Sequence, residues 1–226
     1  MPSASPAASP NPSLPVAAET FLGCCEISLA LAARPEVAAA WAAESSCEGM
    51  TVGGLAHHLV AQVRSAARLL AAPEPDDAPV IGLLEHYDRA PWVAQSRSGE
   101  VDPEQNGSDN TAAGVGQVQV IADAFASFAL LEGLLAGDAR PEVVHIPWQG
   151  WSLPTDGFLT TRLMEMVVHG DDLAASVGID SPEHDESVTT PVLGLLAAVA
   201  ARRHGQVAVV RALSRPQRSS GDISAF

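Results

Sequence analysis

In the run TTRLMEMVVHGDDLAASVG, Glu165 and His169 stand four residues apart. On a helix that spacing puts both side chains on one face, and Arg162 and Asp172 fall within the same arc. Most of the remaining positions are apolar: Leu159, Leu163, Met164, Met166, Val167, Val168, Leu173 and Ala174. Two readings compete. In the plainer one the charged stripe of an ordinary amphipathic helix faces water. In the other it lies inside a bundle and is built around a cation, because imidazole and carboxylate are both ligands of divalent ions. Chance spacing of this kind is common, so the pair alone does not choose.

A second run, TVGGLAHHLV, carries adjacent histidines. At about 100° per residue, Leu55, Leu59, Val63, Ala66 and Leu70 form one apolar stripe. His57 falls nearly opposite, beside Arg64 and Arg68, on a face expected to meet solvent. His58 falls at the edge of the stripe, near Leu55, Gln62 and Leu69, so it can look into a bundle.

Taken together, His58, Glu165 and His169 offer two imidazoles and one carboxylate. That is the three-ligand set of a catalytic zinc site with its fourth position open, and it also suits iron or nickel. Bundle interiors are where facing helices build such sites. Asp172, a turn beyond His169, is placed to orient an imidazole. Arg162 is placed to anchor an acidic group of a substrate. Other candidates are poorer. His86, His145 and His184 lack partners at ligand spacing and are expected at the surface. Ser65, Ser152 and Ser176 have no nucleophile motif around them. GVGQVQ at Gly114 lacks the strand–turn–helix context of a dinucleotide fingerprint.

These residues need helices to hold them, and the chain is rich in alanine and leucine with only 4% aromatic residues, which favours an all-α fold. Residues 1–15, rich in Pro, Ser and Ala, read as a flexible tail. Helices are expected over Glu19–Ala33, Glu36–Ala43 (with Trp41), Val52–Ala72 capped by Thr51, Pro79–Gln95 with a break at Pro91, Thr111–Leu135, Thr155 or Asp156 to Val177 with Gly178 as C-cap, and Val188–His204. The polar stretch Ser96–Asn110 reads as a loop. Val143–Ile146 reads as a short strand or extended segment, and PWQGWSLP as a loop carrying Trp148 and Trp151. The bundle then spans residues 16–205. Residues 206–226 form a short extension, with a strand over Val207–Val210.

The formal net charge is -15, and all twelve basic residues are scattered arginines. Such a surface repels nucleic acid, which is not expected as a partner. The three cysteines, Cys24, Cys25 and Cys47, are a poor disulfide framework and read as small buried residues in a reducing cytoplasm. The first residues lack a basic and then apolar leader. No uninterrupted apolar run approaches about 18 residues, so no membrane-spanning helix is expected. A monomer or homodimer is expected.

The stretches TVGGLAHHLV, FLTTRLMEMVVHGDDLAASVG and ARRHGQVAVVRALSRPQRSSGDISAF, with Trp41 and the SSC segment before Thr51, resemble the mycothiol-dependent maleylpyruvate isomerase-like proteins. Those proteins fall within the broader DinB-like metal-binding bundles. The resemblance covers most of residues 20–226. It implies a DinB-like four-helix bundle with extra short helices, zinc held by His58, Glu165 and His169, and mycothiol as thiol cosubstrate. The implied activity is addition or transfer of a small thiol to an electrophilic small molecule, of isomerase or S-transferase type. The better-known isomerases carry a sizeable second α/β domain that supplies a catalytic arginine. Only about twenty residues follow Gly205 here. Arg211 and Arg215 are candidates for that arginine, although a plain surface role is the stronger reading. A non-catalytic metal- or ligand-binding bundle and a plain helical scaffold stand as alternatives. By the resemblance, Trp148 and Trp151 are candidates to line the pocket mouth.

Overall fold

A computed structural model describes residues 14–75, 77–97, 102–137, 140–219 and 221–226. Residues 1–13 of the expected tail and 98–101 of the expected loop lie outside them. Four long helices make the bundle: α1 (Ala18–Ala32), α3 (Val52–Leu70), α7 (Gln117–Leu135) and α8 (Thr155–Val177), with α2 (Pro35–Ala39) between the first two. α3 packs between α7 and α8, and α1 closes the ring against α7, α8 and α3. The shared core includes Phe21, Leu29, Leu55, Leu59, Leu131, Phe158, Leu163 and Leu173, all buried. The fold is therefore an all-α, DinB-like four-helix bundle with added helices.

The additions are α4 (Leu83–Arg89), α5 (Pro91–Arg97), α6 (Pro103–Ala112), α9 (Glu186–His204) and α10 (Gln206–Ser214). The expected Pro79–Gln95 helix starts later and is broken at Ala90 before Pro91, since a residue before proline is pushed to extended geometry. The expected second helix is shorter than Glu36–Ala43, ending at Ala39 and leaving Trp41 in the turn beyond it. β1 (Val143–Ile146) pairs antiparallel with β2 (Trp151–Pro154), so the second half of PWQGWSLP is a strand rather than a loop.

Two expectations are corrected outright. Most of the stretch read as a loop is α6, started by the Asp102 side chain accepting from the Glu104 and Gln105 backbone N–H groups, with Pro103 in its first turn. The residues read as a strand at Val207–Val210 lie in α10. There Gly205, at φ 86°, turns the chain after α9. Val209 is buried while Val207 and Val210 are exposed, a one-sided burial that a helix provides.

α7 also departs from expectation. By length and composition it could cross a membrane, with a mean hydropathy of 1.6, and 28% of that apolar window is buried. Its inner face, Val120, Ala124, Leu131 and Leu135, belongs to the bundle core.

Close packing explains the glycine pair of TVGG. A Cβ at Gly53 would lie 2.6 Å from the Trp41 ring, and one at Gly54 would lie 2.2 Å from Asn110 Oδ1. Asn110, on α6, uses that oxygen to accept from the Thr51 backbone N–H (2.9 Å) and hydroxyl (3.0 Å), while Thr51 Oγ1 caps α3 at Gly54 (2.9 Å). Thus α6 docks on the first turn of α3, one turn before the histidines.

Candidate metal centre

α3 and α8 bring His58, Glu165 and His169 together, with one potential ligand atom from each all within 4.8 Å of one another. The Nε2 atoms of both imidazoles face the same carboxylate oxygen, Glu165 Oε2, at 3.7 Å for His58 and 3.2 Å for His169. The two rings meet edge to face with centroids 4.8 Å apart.

The opposite nitrogens are tied down. His58 Nδ1 lies 2.8 Å from Asp109 Oδ2, and His169 Nδ1 lies 3.0 Å from Asp172 Oδ2. A carboxylate can only accept, so in each neutral ring Nδ1 carries the proton and the Nε2 lone pair points at the shared centre. This carboxylate–imidazole arrangement is the one that orients histidine ligands of metal ions. Asp172 thus lies within hydrogen-bond distance of the His169 ring.

Electrostatics agree. Burial pushes His58 and His169 down, but the carboxylates around them outweigh it, with Cys47 also contributing at His169. The net displacement is upward for His58 and well upward for His169. Burial pushes Glu165 up, and the facing His169 and His58 imidazoles outweigh that and hold it well below the usual carboxylate range. A partly buried carboxylate facing two imidazoles calls for positive charge between them, which protons or a divalent cation supply. The donor set fits a divalent cation.

Three features were not legible in the spacing. Asp109, buried on α6, accepts from His58 and also from His57 Nδ1 at 2.7 Å. His57 is accordingly not on a solvent face: α6 covers it and its side chain is 13% exposed. Cys47 is only partly buried and forms a second close group with His169 and Asp172, so it is more than a small core residue. His86, expected at the surface, is buried. It accepts from Trp151 Nε1 at Nδ1 (3.1 Å), and burial together with the Arg162 charge lowers its pKa to about 4, so it is neutral. His145 and His184 are partly exposed.

Arg162 lies one turn before Glu165 on α8. Its guanidinium donates to Gln62 Oε1 (2.5 Å) and Thr161 Oγ1 (3.1 Å), and it forms no ion pair among the described residues. Gln62 in turn donates to the His58 carbonyl (3.0 Å), linking arginine and ligand helix. The two tryptophans of PWQGWSLP part company. Trp151 reaches His86, whereas Trp148 is exposed and lies under Arg68, well along α3 from His58. Arg211 and Arg215 are exposed at α10.

The description "mycothiol maleylpyruvate isomerase N-terminal domain" matches residues 21–174. The chain belongs to that family. The matched segment contains α3, α6 and α8 as far as Ala174, just beyond Asp172. No curated protein and no solved structure matched the chain.

Proposed function

We propose that this protein is a divalent-metal-dependent enzyme that activates a small thiol for addition or transfer to an electrophilic small molecule. The observation that carries the reading is the partial accessibility of an otherwise preorganised ligand set. His58, Glu165 and His169 side chains are 19%, 15% and 25% exposed, so the centre is reachable from solvent. A purely structural zinc site closes its coordination with four protein ligands, whereas a catalytic one keeps a position for substrate. Family membership supports a small thiol as cosubstrate, and mycothiol as that thiol.

When bound, a divalent cation, zinc foremost, keeps a small thiol ionised at neutral pH. The chain's own residues do the rest. Asp109 and Asp172 fix the two imidazoles, and Glu165 adds the negative charge that completes the ligand set. Arg162, held by neutral Gln62 rather than by an acid, offers its charge to an acidic group on the substrate. The reaction class is formation of a carbon–sulfur bond at an electrophilic carbon. Departure of the same sulfur then gives isomerisation, and departure of another leaving group with its electron pair gives transfer.

The test is titration of the cobalt-loaded Cys47→Ser protein with mycothiol, the substitution ensuring that this protein thiol near the centre contributes no signal. A sulfur-to-metal charge-transfer band is expected. No band with mycothiol or any other small thiol, while cobalt remains bound through His58, removes thiol chemistry and leaves a metal-binding bundle of another function.

A further inference from the structure

Cys47 lies in a tight turn between α2 and α3. The turn is closed by the Ser45 N–H donating to the Met50 carbonyl (2.9 Å) and the Met50 N–H donating to the Cys47 carbonyl (3.0 Å). It is fastened to α8 at two points. The Ser46 N–H donates to Ser176 Oγ (2.9 Å), and Ser46 Oγ donates to the Asp172 carbonyl (2.8 Å). The turn therefore holds the Cys47 thiol beside His169, with one donor atom each of Cys47, His169 and Asp172 all within 4.8 Å of one another. These groups are within reach of solvent: His169 and Asp172 side chains are 25% and 31% exposed, and Cys47 is partly buried. Cys24, by contrast, is fully buried on α1, where burial pushes its thiol up to about 12.

We propose that Cys47, Asp172 and His169 form a second cation position, selective for thiophilic divalent ions, that shares His169 with the first. One thiolate, one imidazole and one carboxylate make a set that zinc and cadmium accept, and the soft sulfur disfavours magnesium, calcium and manganese. His169 presents Nε2 to Glu165 and Nδ1 to Asp172. A neutral imidazole has one lone pair, so the two positions compete for the ring and one ion per chain occupies one or the other. Binding at the second position releases the Cys47 thiol proton to solvent and involves no oxidation. Zinc and the harder ions stay with His58 and Glu165, while the softer cadmium moves to Cys47. The proposal rests on the placement of Cys47 and Asp172, and it stands or falls independently of thiol catalysis.

Cadmium alone is the probe, read by sulfur-to-cadmium charge-transfer absorption. The intact chain should show the band on addition of about one equivalent, and Cys47→Ser should not. In His58→Ala combined with Glu165→Gln, which removes the unshared ligands of the first position, the band should persist. Adding Cys47→Ser to that variant should abolish it and lower cadmium affinity more than about a hundredfold, beyond what loss of a merely orienting partner costs. The proposal is overturned if the intact chain and Cys47→Ser give the same absorption. It is equally overturned if a folded His58→Ala, Glu165→Gln variant gives no band.

Discussion

The Nδ1 atoms of His58 and His169 are each spoken for by a separate carboxylate, and this sets what single substitutions do. Asp109→Asn removes an anionic acceptor from His58 while keeping its shape, and metal affinity should fall about 10–100-fold. Competition with a chromophoric chelator measures this, and an unchanged affinity would mean that Asp109 only packs. His57→Ala takes away Asp109's other histidine but no ligand, so the ion should be retained. Protons compete for the same centre. In the metal-free protein His58 and His169 are held above their ordinary pKa because nearby carboxylates outweigh burial. A cation must displace those protons, so its affinity should rise as pH rises from about 6.5 upward. Calorimetry in buffers of different ionisation enthalpy should detect proton release on binding, and zero release across that range would contradict the assignment.

At the scale of elements, α3 and α8 were legible because apolar and polar residues segregate along them with helical period, which also separated His58 from His57. The period could not reveal that a third helix covers the face opposite the core stripe. α6 carries almost no apolar residues to give it a period, and it forms because Asp102 and Pro103 start it and Asn110 docks it on Thr51. The Asp-Pro-Glu start is a helix signal that the surrounding Gly, Asn and Ser residues masked. α10 was misread because its valines favour strands, while the Gly205 turn sets the segment down as a helix on α9. No helical period could place Cys47 beside His169, since its position depends on a turn fastened to α8 from far along the chain. The α3–α6 contact gives a test. In Gly54→Ala the new Cβ would collide with Asn110 Oδ1, which is fixed by two hydrogen bonds from Thr51. Overpacking costs about 1–3 kcal/mol, partly offset by about 1 kcal/mol of helix propensity. A net loss of about 1 kcal/mol is expected in denaturant melts. Metal affinity should fall with it, because Asp109 adjoins the displaced Asn110, and a variant as stable as the parent would show that the junction yields freely.

For the whole molecule, the proposed ion is a cross-link between two of the four bundle helices, α3 and α8. A ligand that binds only the folded state stabilises it by about 2.7 kcal/mol at a hundredfold excess over its Kd. For a chain of this size that is roughly 5–10 °C in melting temperature, so chelation should lower the midpoint by about that much and zinc should restore it. An unchanged midpoint would argue against a cross-link. The measurement closest to the central claim is elemental analysis of the purified protein alongside Cys47→Ser and the combined Cys47→Ser, His58→Ala variant, with folding checked by circular dichroism. About one divalent ion per chain is expected in the parent and in Cys47→Ser, and almost none in the combined variant. Full retention of the ion by a folded chain lacking both Cys47 and His58 would contradict a centre built from His58, Glu165 and His169.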